Sequence, residues 1–275
     1  MPKEKEYKPG LTVLVQGPIT AQSKECMENI PHYKEYGDVV LSSWSDGGGT
    51  DLTLLPNVSP DPKTESNLRV VLNPTPDRDK AVGCEKNSTF YWAISSQYHG
   101  YELVDTEHVL KIRTDECFTN LQPMIDKHKE NPEKFLFGNI FAKTFSFKPY
   151  HIGDHVFIAE TKHLLGGCKL LLDMYNGVTE LEGWAKQGEM VAEQILAFSY
   201  VESKGFSGDD RSPTVGAAEV KGWSKSFFWE HFDMFDIEGF DDYLVRYNSA
   251  NQTFKKNGNP FLPASFQGIT DIKDI

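Results

Sequence analysis

The chain has 275 residues, 39% of them hydrophobic and 25% charged, enough to build a substantial core in one large domain or two small ones. A net charge of −12 argues against binding nucleic acid through its phosphates and against broad adsorption to an anionic membrane. The four cysteines, Cys26, Cys84, Cys117 and Cys168, are scattered with no C-x-x-C pair, which speaks against a zinc cage or a disulfide framework and suits a reducing compartment.

Residues 1–9 read as a polar tail whose start, Met1 to Tyr7, has no apolar signal region. No run of about 18 apolar residues is present, so no integral membrane segment is expected. The expectation is a cytoplasmic protein, with a peripheral membrane contact left open.

Leu11 to Val15 (LTVLV) is continuous, apolar and β-branched, and Gly17 and Pro18 end it; this is the pattern of a strand buried on both faces. Thr20 is placed to cap a helix over Ala21 to Tyr36, which Pro31 bends or ends. Asp38 to Ser43 (DVVLSS) reads as a second buried strand, and strand, helix, strand within about 30 residues is a βαβ unit implying a parallel sheet. Residues 45–67 read as a long loop with at most a short helix near Thr53. Strands follow at Leu68–Leu72 and Val109–Thr114, with a helix over 84–100 between them. A helix is expected over Phe118 to His128, a strand over Phe135 to Phe141, and helices over Lys162–Tyr175 and Met190–Ser203. Residues 206–225 look irregular, the aromatic stretch 227–243 reads as core, and the chain from about Asn248 looks loop-like. The whole is an α/β sheet flanked by helices with an α+β C-terminal region. As a single domain it divides into 10–120, 121–247 and a tail at 248–275.

Four segments carry chemistry. Gln16-Gly17-Pro18-Ile19 follows the first strand, where Gly17 permits a sharp turn and close approach of a ligand; the same sequence also fits a plain βα turn. No G-x-G-x-x-G and no P-loop motif occurs. In Lys111-Ile112-Arg113-Thr114-Asp115, strand alternation places Lys111, Arg113 and Asp115 on one face. A diphosphate with a divalent cation on Asp115 would partner such charges, and a solvated strand face is the alternative. In His151-Ile152-Gly153-Asp154-His155, Asp154 is a candidate base or hydroxyl ligand beside two histidines, unless the segment is an ordinary polar loop. Glu189 and Glu193 share a helix face at i,i+4, either as a candidate base or as a solvated pair.

Taken in order, VQGPI after the first strand, VLSSW ending the second, NST at 87–89, LKIRTD at 110–115, HIGD at 151–154 before an apolar strand, and AEQ at 192–194 resemble the WavE family of lipopolysaccharide-synthesis proteins. The resemblance spans roughly residues 11–245. That family is regarded as glycosyltransferases. The resemblance implies a GT-A-like, Rossmann-type mixed sheet, a nucleotide-sugar donor, a glycan or glycolipid acceptor, and Mn²⁺ or Mg²⁺. It implies that Gln16, Gly17 and Pro18 sit at the nucleotide, with Ser43 and Trp44 beside the base or ribose. Asn87, Ser88 and Thr89 would open a helix lining the donor site, Lys111 and Arg113 would face phosphate, and Asp115 would stand at the metal. Asp154 and Glu193 are the two candidates for the catalytic base. Two positions depart from the pattern: Cys84, Glu85 and Lys86 precede Asn87, and Arg113 takes the place of the first carboxylate of a D-x-D motif. Inversion and retention both stay open. The rival readings are a nucleotidyltransferase, for which a basic glycine-rich triphosphate loop is missing, and a non-catalytic glycan-binding or assembly protein.

Overall fold

The computed structural model describes residues 5–45, 51–55, 67–74, 88–140, 142, 150–178, 192–206, 225–247 and 252–256. A seven-stranded mixed sheet runs through these residues. Its strands, in chain order, are β1 (Lys8–Gln16), β2 (Asp38–Trp44), β3 (Leu68–Asn73), β4 (Thr106–Arg113), β6 (Phe135–Gly138), β7 (Val156–Glu160) and β8 (Phe232–Phe235). The spatial order is β3-β2-β1-β4-β7-β6-β8. A small sheet of β5 (Cys117–Thr119), β9 (Asp242–Tyr247) and β10 (Gln252–Lys255) stands beside it. The helices are α1 (Lys24–Tyr33), α2 (Ser88–Glu102), α3 (Gln122–Glu130), α4 (Thr161–Tyr175), α5 (Ala192–Ser203) and α6 (Lys225–His231).

The four strands from β3 to β4 are mutually parallel, as the βαβ spacing predicts, whereas β7 runs antiparallel to both β4 and β6. Continuous apolar strands are explained by burial on both faces. Leu14 and Val40 enter a core built with α2, α4 and α5, and Val13, Val15, Val39 and Leu41 enter a second core with α1 and Phe118. The aromatic stretch at 227–243 is core: Phe228 and Phe232 fill the first cluster, and Phe235, Phe240 and Tyr243 the second.

Several boundaries differ from the sequence expectation. β1 begins inside the expected polar tail, because Lys8 already pairs with Thr106 across a register irregularity. Thr20 caps a 3-10 turn over Ala21–Ser23, and α1 proper stops at Tyr33, two residues after Pro31. Phe118 is not helical: it pairs antiparallel with Tyr243, Asn120 turns the chain at φ 53, and α3 starts only at Gln122 with Pro123 in its first turn. The strand expected to reach Phe141 ends at Gly138. Gln252–Lys255, expected to be loop, pairs with β9. Leu52–Leu54 is the short helix expected near Thr53.

Candidate active site

The chain passes from β1 to β2 to β3 on one side, then returns through α2 to place β4 on the other side of β1. Connections therefore leave the carboxyl ends of β1 and β4 in opposite directions, and such a switch point opens a crevice where ligands of α/β proteins bind. A cavity of about 560 Å³ lies there. Gln16, Gly17, Pro18, Thr20 and Gln22 line it from the β1 end, and Trp44 from the end of β2. From α2 come Phe90, Trp92, Ala93 and Gln97; from β4 and its exit, Lys111, Arg113, Thr114 and Asp115. Asp154, just before β7, and Ala192, opening α5, complete the wall.

The turn after β1 is laced to the exit of β4. Thr114 donates its hydroxyl to the Pro18 carbonyl at 2.7 Å and its N–H to Gln16 O at 3.0 Å. Gly17 has φ +137, and a Cβ there would lie 2.6 Å from Thr114 Oγ1, so only glycine fits. Gln16 does two things: it lines the cavity, and its amide donates to Ser96 Oγ of α2 at 2.6 Å, tying helix to sheet. Asn73 and Ser42 extend this buried network, Asn73 Nδ2 donating to Ser42 Oγ at 3.0 Å and to Ser43 O at 3.1 Å.

The charged row of β4 is not a solvated face. Lys111 is 1% exposed, its ammonium donating to the Asp154 carbonyl at 2.5 Å and lying 5.6 Å from the Phe157 ring centre. The Arg113 and Asp115 side chains are 23% and 14% exposed and form a two-pronged pair: Nε donates to Oδ1 and Nη2 to Oδ2, each at 2.9 Å. Burial pulls the Lys111 ammonium below its ordinary value despite the nearby carboxylates. For Arg113 burial acts in the same direction, but the charges of Asp115 and Glu116 outweigh it and the guanidinium is held more firmly protonated than usual. Burial alone would raise Asp115, yet the Arg113 charge and hydrogen bonds keep its carboxyl below the usual carboxylate range.

Asp154 arrives through the antiparallel pairing of β7 with β4, in which Val156 faces Ile112. Gly153 permits this approach, since a Cβ would lie 2.3 Å from Gly138 O. Asp154 Oδ1 is 3.7 Å from His155 Nε2, and the other ring nitrogen of His155 bonds the fully buried Glu116. Burial pushes the Asp154 carboxyl up, but His155, Lys111, Arg113 and His151 together hold it below its ordinary value.

The crevice thus gathers Gln16, Gly17, Pro18, Trp44, Lys111, Arg113, Asp115 and Asp154. Ser43 is buried within β2 and is not part of the wall. Glu193 stands one residue beyond the wall, 3.8 Å from His151 Nε2. Ser88 and Thr89 open α2, of which only the backbone is described there; Asn87 and Glu189 lie outside the described residues. The resemblance implied that the helix opened at residues 87–89 lines the site, and α2 does line it, but Phe90, Trp92, Ala93 and Gln97 were not named as its lining residues. Their signal was the helical spacing of Phe90, Ala93 and Gln97, which puts a small and a polar residue on an otherwise core-facing stripe. Glu116 had no such signal, since its partner His155 is 39 positions away.

As arranged, Asp115 does not suit a cation: both its oxygens already accept from Arg113, and the guanidinium charge lies 2.9 Å from each. Among the described residues no three His, Cys, Asp or Glu side chains gather where they could hold a metal ion. Nor is any helix among them long and apolar enough to cross a membrane.

No protein-family profile matches the sequence, and no curated protein does. Among solved structures, the chain is similar to the galactosyltransferase LgtC in complex with donor and acceptor sugar analogs, at 10% identity and a TM-score of 0.41 over 70% of each chain. It is also similar to a protein described as a glucose-1-phosphate thymidylyltransferase from Bacillus anthracis, at 10% identity and a TM-score of 0.39 over 71% of this chain and 83% of that one. A third likeness is to residues 1–349 of TarS from S. aureus, at 14% identity and a TM-score of 0.38 over 70% of this chain and 55% of that one. These likenesses are partial.

Proposed function

We propose that the chain is a glycosyltransferase that moves a sugar from a nucleotide-sugar donor to a hydroxyl of a glycan or glycolipid. The observation that carries this is the division of the crevice at the β1/β4 switch point. Trp44 and Trp92, their ring centroids 6.1 Å apart, supply rings on the β2 side, and Lys111 and Arg113 supply positive charge on the β4 side. Ser42 pairs with Gln16, and Gln16 with Arg113, so Trp44 lies two strands over and two residues further on. At strand spacings of about 4.8 Å and about 3.3 Å per residue, the two backbones stand about 12 Å apart, the reach of a nucleoside diphosphate from base to phosphate. The resemblance of the sequence to the WavE family supports a glycan acceptor.

In such a transfer the departing diphosphate gains negative charge as the sugar becomes oxocarbenium-like. Lys111 and Arg113, fixed in a largely buried site, face that charge without reorganising. Of the two wall carboxylates, Asp115 is taken up by its two-pronged pair with Arg113, whereas Asp154 is held ionised and receives the acceptor's proton in this reading. Glu193, engaged near His151 and off the wall, is the weaker candidate.

The test is thermal unfolding with UDP, GDP, CDP and dTDP, followed by release of diphosphate from the matching nucleotide sugar by wild type and Asp154→Asn. One diphosphate is expected to raise the midpoint through ligand linkage, and the variant to keep binding while losing turnover. If none of the four stabilises the protein at millimolar concentration, the nucleotide reading fails and a non-catalytic glycan-binding role takes its place.

A further inference from the structure

We infer that Asp115 is a clamp for Arg113, not a ligand for a divalent cation, and that Arg113 and Lys111 meet the diphosphate directly. This rests on the nucleotide-sugar reading of the same crevice. A guanidinium has five N–H donors in a fixed plane. Arg113 gives two of them, on the Nε–Nη2 edge, to the two oxygens of Asp115. The remaining three lie at the other nitrogen and at the outer corner of the fork, and Arg113 borders the cavity. A carboxylate that grips one edge of an arginine holds the other edge in a set orientation, and that edge matches two oxygens of a phosphate.

A divalent cation at Asp115 would have to break these charge-assisted bonds or share the carboxylate with them, in a pair that is 23% and 14% exposed. Either way it would sit beside the guanidinium, positive charge against positive charge at low solvent screening. Lys111 adds to the arginine: it spends one of its three N–H groups on a neutral carbonyl, Asp154 O at 2.5 Å, so its charge is not consumed by that bond. Two fixed cations bordering one cavity supply what a bound cation would otherwise bring to a leaving diphosphate. Asp115 then acts through Arg113, as a positioning residue.

The test measures the affinity of the best-binding diphosphate among UDP, GDP, CDP and dTDP, once in EDTA and once in Mn²⁺, for wild type, Asp115→Asn and Arg113→Lys. Wild-type affinities in the two solutions are expected to agree within about threefold, and Arg113→Lys to bind about tenfold or more weakly in both. Asp115→Asn should weaken binding by the same factor with and without Mn²⁺, because a loosened arginine does not depend on the ion. Mn²⁺ alone, titrated into the full chain and followed by electron paramagnetic resonance, should keep its free-ion signal. Binding that needs Mn²⁺ in the wild type and loses that need in Asp115→Asn would overturn the inference, as would Mn²⁺ taken up by the wild type and not by the variant. Should Asp115→Asn fail to fold, the Arg113→Lys and free Mn²⁺ arms still decide. Absence of any diphosphate binding in either solution sinks the nucleotide reading and this inference with it.

Discussion

His128 offers a quantitative test of how the fold handles a buried titratable group. It lies in the last turn of α3, 6% exposed, and among the described residues neither ring nitrogen has a hydrogen-bond partner. Its ring meets His108 edge-on, with centroids 4.8 Å apart. Burial, with a smaller push from His108, lowers its pKa from 6.5 to about 4. The folded state therefore binds fewer protons here than the unfolded state between those two values. Stability is intact above pH 6.5 and falls as the pH drops towards 4. Each pH unit of that gap corresponds to about 1.4 kcal/mol, so the full loss is about 3 kcal/mol below the folded pKa. At pH 5.5 the same two values give a loss of about 1.3 kcal/mol relative to pH 7.5. The comparison is His128→Phe, which keeps a ring against His108 and removes the proton site. Urea unfolding at pH 7.5 and pH 5.5 stays clear of the isoelectric point near 5.1, where solubility is poorest. The stability of the Phe variant relative to wild type should rise by about 1.3 kcal/mol between the two pH values. His163 and His231, whose pKa values burial also lowers, are present in both proteins and cancel in the difference. An unchanged difference would mean that His128 is solvated or partnered in solution, and the reasoning would fall.

Gly17→Ala is expected to cost about 2 kcal/mol or more in urea unfolding, from positive φ and the clash with Thr114; a loss under about 0.5 kcal/mol would refute the close approach. Gln16→Ala should lower stability by about 1–3 kcal/mol without any ligand, through its buried bond to Ser96, and an unchanged unfolding midpoint would show that the bond is not formed. Trp44→Ala should weaken diphosphate binding about tenfold, within the roughly 1–3 kcal/mol of a stacked base, and reduce the ligand-induced change in tryptophan fluorescence. Unaltered affinity would move the base away from Trp44.

The features legible from sequence were those that local pattern determines. LTVLV, DVVLSS and VLKIRT announce strands buried on both sides, and alternation puts Lys111 and Arg113 on one face before any coordinates are consulted, although β4 ends at Arg113 and Asp115 stands in the turn after it. What local pattern could not decide was whether that face was wet. The answer comes from β7, whose antiparallel pairing lays Phe157 and the Asp154 carbonyl against Lys111. The helix expected at Phe118 failed for a similar reason. Cys117–Thr119 is held extended by β9, more than 120 positions later, and a partner so distant leaves no trace in a short window. Pro123, in the first turn of α3, was the local signal available for its true start. The Glu116–His155 contact likewise joins two segments that read separately, one as the charged end of a strand and the other as a turn with Asp154 beside two histidines.

The insertion of β7 beside β4 also bears on how the protein comes into being. While the nascent chain ends short of Val156, β4 has β1 on one side and an unpaired row of N–H and C=O groups on the other. An apolar edge of this kind is a template for the wrong neighbour, including another copy of the same half-made chain. The edge closes when Val156–Glu160 pairs with it, in the same event that delivers Asp154 to the crevice. Closure of this edge and delivery of Asp154 to the crevice follow from one strand pairing, and a chain cut between β4 and β7 forfeits both together.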